Sequence, residues 1–231
     1  MTQTSSVLLD RGRRILLAVV GLIVFAFGVY LQLQANIGQA PWNALNQGLS
    51  MRLPISYGTA CNVVACCIVL IDIALKEPVG LGMLLDACII GWATDIFIAL
   101  DWVPVQTALP LQILLQLAGM TVLCIGQLIY MKAALGCGPR DALMIALGKR
   151  FTKVSVGTVN MCIFVIVLAG AFLLGAPIGI GTVMAVALMG PIMDLVFKVG
   201  HFDARSVIHE SLLQTIRAIA GSVKKKTDSA K

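Results

Sequence analysis

Six long runs of apolar residues, separated by short polar or Gly/Pro-rich stretches, dominate the pattern of the chain. Each run is long enough for a helix that crosses a bilayer, which needs about 20 mainly apolar residues. Because lipid offers the backbone no hydrogen-bond partners, we interpret the runs as helices rather than strands. The predicted spans cover approximately residues 15–34, 57–75, 82–100, 111–132, 156–174 and 180–199.

The composition agrees with an all-α, polytopic membrane protein whose main partner is the lipid bilayer. Apolar residues make up 59% of the chain and charged residues only 12%. The first run lacks the short apolar core and the cleavage site of a secretory signal, so we predict that it is retained as a span. The 7 cysteines show no CxxC spacing. We expect them to pack as small apolar residues and predict neither a metal nor a cofactor.

Two stretches of the chain repeat one another: NIGQAPWNALNQGLSMRLP at 36–54 and ALGCGPRDALMIALGKRFT at 134–152. Each half of the chain holds three predicted spans, an odd number, so the second half must enter the membrane from the opposite side. The pattern therefore predicts a 3+3 inverted repeat. Further matches are Gly28 with Gly126, Ser56-x-Gly58-Thr59 with Ser155-x-Gly157-Thr158, Pro78-x-Gly80-x-Gly82 with Pro177-x-Gly179-x-Gly181, and Gly91 and Asp95 with Gly190 and Asp194.

The distribution of Lys and Arg predicts the orientation, since cytoplasmic loops collect basic residues. With the N-terminus inside, the outer side carries only Arg52. We therefore expect a multi-pass protein of the bacterial inner membrane with both termini cytoplasmic. Topology also explains the net charge of +6, so a nucleic-acid partner is not expected, while a homodimer is left open. The predicted organisation is a cytoplasmic N-terminus (1–14), a first three-helix repeat (15–100), an extracytoplasmic linker (101–110), a second three-helix repeat (111–199) and a cytoplasmic amphipathic, basic tail (200–231).

The repeated stretches predict two additional short helices, 41–52 and 139–150. Twelve residues rise about 18 Å, too little to cross a bilayer. These helices either re-enter the membrane as broken segments or lie flat on its surface as connectors. If they dip inward, their first turns would bind a substrate, because helix N-termini carry unpaired N–H groups. The candidate substrate-binding residues are Trp42, Asn43, Arg140 and Asp141, with Gly38 and Gly136 allowing the sharp turns.

Four acids lie within the predicted spans, where a charge is costly. Asp95 and Asp194 each follow a glycine by four residues, so each shares a helix face with it; they lock the helix or carry a coupling ion or proton. Asp86 has no counterpart in the other half and is a further candidate for proton coupling. For Asp72 we expect an interfacial ion pair with Lys76, one turn away.

Several of these motifs resemble those of bacterial YczE/YitT-type integral membrane proteins. They are Ala35-x-x-Gly38-x-x-Pro41-Trp42 followed by Gly48-Leu49-Ser50, Ser56-x-Gly58-Thr59, the Pro-x-Gly-x-Gly turns and Gly190-Pro191-x-x-Asp194. The resemblance covers about residues 15–199 and implies a membrane location and a fold rather than an activity. Members of that family usually carry an acid after the Pro-Trp pair. Here that position is Asn43, whereas Asp141 keeps an acid in the second half.

The leading functional hypothesis is a small secondary transporter or exporter of a small solute that works by alternating access. The alternative is a non-transporting membrane subunit, scaffold or sensor that partners a larger complex. We do not expect an enzyme, because the two histidines, His201 and His209, follow the last span and no nucleophile is paired with a base.

Overall fold

The fold is helical throughout the described part of the chain. The computed structural model describes residues 2–151 and 156–202, with side chains from residue 9 onward except that of Val156. Five helices are long and apolar enough to cross a membrane, and the apolar helix Gly157–Leu173 is shorter. The prediction of a polytopic helical membrane protein is therefore confirmed. The helices are α1 (Thr2–Ala35), α2 (Pro41–Arg52), α3 (Tyr57–Ala74), α4 (Leu81–Leu100), α5 (Leu109–Lys132), α6 (Pro139–Arg150), α7 (Val156–Leu173) and α8 (Ile180–Val199).

Helix boundaries agree with the predicted runs except at the start of the chain. α1 begins at Thr2, well before the apolar run that starts at residue 15. Residues 2–14 contain no proline and one glycine, so nothing in them stops the helix from extending. Ser155 and the tail predicted over 200–231, except for residues 200–202, lie outside the described residues.

The centre of the bundle is the antiparallel pair α1 and α5. Gly21 packs against Gly126, and Gly28 packs against Gly119, with the backbone of one helix directly on the other. A Cβ atom on any of these four glycines would lie within 3.0 Å of the opposite backbone. Glycine is therefore required at these positions for the helices to approach so closely. α4 packs on α1 and α8 packs on α5.

Hydrogen bonds identify the two ends of the bundle. At one end, here called the basic face, Arg14 Nε donates to the Ala133 carbonyl at 2.8 Å, and Lys149 Nζ bonds Glu77 Oε2 at 2.8 Å. At the other end, here called the far face, Arg52 Nε donates to the Leu174 carbonyl at 3.0 Å. α2 thus ends at the far face and α6 ends at the basic face.

The turns that precede the short helices are joined to the starts of α4 and α8. Gly38 and Gly136 have φ angles of +95° and +121°, a conformation that glycine adopts without strain. Beside Gly38, the Ile37 carbonyl accepts a hydrogen bond from the N–H of Gly181 at 2.7 Å. Beside Gly136, the Leu135 carbonyl accepts one from the N–H of Gly82 at 2.8 Å. Each turn is therefore held by a helix from the other half of the chain.

Candidate functional site

The first turns of the two short helices meet inside the bundle. α2 begins at Pro41 and α6 at Pro139, and a proline at the first helical position loses no hydrogen bond. Neither helix has a hydrogen bond from a side-chain cap, because the N-cap residue is Ala40 in α2 and Gly138 in α6. The Asn43 side chain accepts a hydrogen bond from Arg140 of the other short helix.

Arg140 connects α6 to α2 and α3. Its Nη1 donates to Asn43 Oδ1 at 3.4 Å, and its Nη2 lies 3.8 Å from Cys61 Sγ. The guanidinium carbon lies 5.8 Å from the centroid of the Trp42 ring, within the range of a cation–π contact. The predicted substrate-binding residues of the two halves are thus direct neighbours, although 98 positions separate Trp42 from Arg140.

A cavity of about 430 Å³ lies next to this contact. That volume is within the usual range for small-ligand sites. Trp42, Asn43, Arg140 and Asp141 line the cavity, and so does Asp86. The other predicted residues, Gly38, Gly136, Asp95 and Asp194, are not part of its lining.

Two of the lining acids lie close together beside the start of α6. A Cβ built on Gly138 would lie 3.0 Å from Asp86 Oδ2 and 3.8 Å from Asp141 Oδ2. The two carboxylates therefore converge on one point of the cavity wall. The positive end of the α6 dipole at Gly138 favours negative charge at this point.

Asp95 belongs to a closed contact between α3 and α4 near the far face. Its Oδ1 accepts the backbone N–H of Gly58 at 2.7 Å, and its Oδ2 accepts the hydroxyl of Ser56, which caps α3. The helices touch through glycines: a Cβ on Gly91 would overlap the Gly58 carbonyl and Asn62 Oδ1. The carboxylate thus holds the start of α3 against α4.

The corresponding helices of the second half, α7 and α8, are separated. Among the described residues, no atom outside the adjoining part of α8 lies within 4 Å of the position that a Cβ of Gly190 would occupy, and both Gly190 and Asp194 are exposed. The cavity extends into this gap, because Gly157 and Asn160 of α7 line it opposite Gly190 of α8. Asp95 and Asp194 match in sequence but have different surroundings.

The expected ion pair of Asp72 with Lys76 is wrong. α3 ends at Ala74, and Lys76 has a φ angle of +61°, so Lys76 does not continue the helix face that carries Asp72. Asp72 is fully buried, and neither carboxylate oxygen has a hydrogen-bond partner among the described residues.

Sequence reasoning missed the apolar wall of the cavity. The thioether and aromatic side chains of this wall include Met144, Met161, Phe164, Met189 and Met193. Met189 and Met193 are four residues apart and therefore share one face of α8. That spacing was the available signal, but lipid-facing residues of a span show the same spacing.

In the described part of the chain, no group of three or more His, Cys, Asp or Glu side chains could hold a metal ion. The seven cysteines are free thiols, and Cys61 and Cys124 are buried. The lining of the cavity itself offers charged, amide and apolar side chains for recognition of a ligand.

Comparisons with known proteins give a family but no activity. An "Uncharacterized protein" of Haemophilus influenzae is 29% identical over 178 residues, 77% of this chain and 80% of the relative. In Bacillus subtilis, the "Uncharacterized membrane protein YczE" is 29% identical over 75% of this chain and 80% of its own. The B. subtilis "Uncharacterized protein YyaS" is 24% identical over 76% and 88%.

No solved structure matches this chain. The model of a family of unknown function, DUF6198, matches residues 12–198. These residues include all the helices that form the cavity. The chain therefore belongs to the DUF6198 family of unknown function, in agreement with the resemblance of its motifs to YczE-type membrane proteins.

Proposed function

We propose that this protein is a small secondary transporter, built from two three-span units of opposite orientation, which binds its solute between the two short helices. The residues with positive φ support the two-unit architecture, because six of them occur in corresponding pairs: Asn36 with Ala134, Gly38 with Gly136, and Lys76 with Gly175. The glycine contacts of α1 with α5 and the reciprocal hydrogen bonds of the turns follow the same correspondence.

In this proposal α2 and α6 are re-entrant segments. Each short helix starts at the central contact between Trp42 and Arg140 and ends at its own face of the bundle. Paired broken helices whose N-termini meet near the bilayer midplane are a recurrent arrangement in transporters, where the N–H groups and dipoles bind the solute. The cavity at their first turns is the proposed binding site.

The observation that carries the proposal is the unequal packing of the two equivalent helix pairs. α3 and α4 are joined at the far face, whereas α7 and α8 are apart and the cavity enters the gap between them. Alternating access requires that a site be closed on one side while it is open on the other. If the basic face is cytoplasmic, as the positive-inside rule favours, this conformation faces the cytoplasm.

The acids then have separate roles. Asp95 and Asp194 close the two gates in turn, each by docking against the first turn of α3 or α7. Asp86, which alone of the three lines the cavity, carries the coupling proton or cation. Replacing both Asp95 and Asp194 by Asn should abolish alternation without preventing insertion into the membrane.

Paired spin labels test the proposal. One pair joins the start of α3 to the end of α4, and the matched pair joins the start of α7 to the end of α8. In proteoliposomes with solute on one side, the two distances should change in opposite directions while solute crosses the membrane. Fixed distances and no flux with amino acids, organic acids, amines or a proton gradient would refute it, and copurification with an energising subunit would then favour the accessory-subunit alternative.

A further inference from the structure

We infer that the transported solute is a small zwitterion with an apolar side chain; this inference rests on the function proposed above. The cavity carries a guanidinium and two carboxylates that are not paired with one another. The remaining wall is apolar. A ligand that satisfies all three parts needs a carboxylate, an ammonium group and a hydrocarbon or thioether chain.

The partners of Arg140 within the described residues are neutral. They are the Asn43 amide at 3.4 Å, the Cys61 thiol at 3.8 Å and the Trp42 ring. In the described part of the chain, no salt bridge within 4.0 Å joins Arg140 to Asp86 or Asp141. The charge of Arg140 acts on both acids across the cavity, but its N–H groups bond neither of them, so a carboxylate from the solute can bond the guanidinium directly.

The geometry around Arg140 fits a carboxylate. The forked N–H groups of a guanidinium bind both oxygens of a carboxylate at once. The bond to Asn43 is longer than the usual 2.7–3.2 Å range, so it can be given up without much loss. Asn43 is 3% exposed and lines the cavity, which provides an amide for a second bond to the same solute group.

Asp86 and Asp141 present the opposite charge on the same cavity. Their carboxylates converge beside Gly138, where two negative charges repel each other unless one carboxyl holds a proton, as proposed for Asp86 without solute, or a cation lies between them. An ammonium group is a compact cation with three N–H donors, and it can bond both carboxylates simultaneously. These acids therefore select the amino end of the solute.

The apolar wall receives the side chain of the solute. Four of its residues, Met144, Met161, Met189 and Met193, are methionines, whose flexible thioethers adapt to ligands of different shape. A simple organic cation would leave the N–H groups of Arg140 without a bonded carboxylate. A simple organic anion would leave the acid pair without a cation. Both therefore fit this site less well than a zwitterion does.

Binding of three matched probes to the purified protein in nanodiscs tests the inference. The probes are L-leucine, 3-methylbutylamine, which lacks the carboxylate, and 4-methylpentanoate, which lacks the amine. Leucine should bind at least about tenfold more tightly than either analogue, because each analogue leaves one charged part of the site unpaired. An analogue that binds as tightly as leucine, or no leucine binding at millimolar concentration, would overturn the inference.

Two variants assign the ends of the solute. Arg140→Met should reduce the affinity for leucine at least about tenfold and leave the affinity for 3-methylbutylamine nearly unaffected. Asp86→Asn should likewise reduce the affinity for leucine but leave the affinity for 4-methylpentanoate nearly unaffected. Arg52→Met is the matched control, because Arg52 lies at the end of α2 away from the cavity and donates a hydrogen bond to the Leu174 carbonyl. Thermal unfolding verifies that each variant is folded, and Arg140→Lys replaces Arg140→Met if the latter is not. Unchanged leucine affinity in both variants would exclude this site.

The binding assay does not depend on flux, so the two proposals can fail separately. Leucine binding without transport of any zwitterion would reject the transporter and leave the binding site. Transport of a different class of solute, without leucine binding, would reject the zwitterion and leave the transporter.

Discussion

Replacing Gly91 by alanine should force α3 and α4 apart. The added Cβ would overlap the Gly58 carbonyl and Asn62 Oδ1 at well under 3.0 Å, whereas ordinary contacts begin at 3.4 Å. Overpacking of this kind costs about 1–3 kcal/mol. Loosening of the Asp95 bonds to Ser56 and Gly58 adds about 1 kcal/mol. We therefore expect a loss of about 2–4 kcal/mol.

Gly190→Ala is the matched control, because Gly190 corresponds to Gly91 but has nothing within 4 Å of its Cβ position. Alanine is also the better helix former, so stability should fall by less than about 0.5 kcal/mol or rise. Tryptophan fluorescence during heating of both variants in nanodiscs provides the comparison. A loss of 2–4 kcal/mol corresponds to a decrease in Tm of about 5–15 °C for Gly91→Ala.

The pair also tests the proposed gates. Gly190→Ala should leave the protein folded but slow transport, because the Cβ would block closure of α7 on α8. Equal thermal stability of the two variants would refute the packing described for α3 and α4. Full transport by Gly190→Ala would refute the role of the α7–α8 gap as a gate.

Three further predictions concern stability. Asp72→Asn should keep or raise the Tm, because Asp72 is fully buried and both carboxylate oxygens lack a partner; a loss above about 2 kcal/mol would reveal a compensating group. Gly38→Ala should lower stability by about 1–3 kcal/mol, because the φ angle of Gly38 is +95° and the added Cβ would lie 2.6 Å from Thr182 Oγ1. Gly12→Ala is the control and should not lower stability, because the space around Gly12 is open. Lys149→Ala should cost less than about 1 kcal/mol, because its side chain is 61% exposed in the pair with Glu77; thermal unfolding measures all four variants.

The sequence predicted those parts of the fold that depend on local chemistry. Pro41 and Pro139 begin short helices because a residue without an N–H fits the first helical position. Apolar runs form spans because the backbone must bond itself in lipid. The predicted ion pair between Asp72 and Lys76 was wrong because α3 ends at Ala74. Beyond the end of the helix, a four-residue spacing no longer places two side chains on one face.

The candidate site was predictable only in part. The side chains at the starts of α2 and α6 were recognised because the repeated stretches place them in the first turns of two short helices, where unpaired N–H groups can bind a ligand. The methionine wall was not, because a residue that faces a cavity and one that faces lipid follow the same pattern. The difference between Asp95 and Asp194 cannot be predicted either, since matching motifs adopt two conformations within one molecule.

The contact between Gly181 and the Ile37 carbonyl has a consequence for biosynthesis. Ile37 belongs to the first turn made by the ribosome after α1, whereas Gly181 opens the last described helix. The Ile37 carbonyl therefore lacks its backbone partner, the N–H of Gly181, until α8 has been translated. Insertion of the early spans therefore precedes their final packing, and a nascent chain truncated before α8 would lack the backbone partner of the Ile37 carbonyl at the far face.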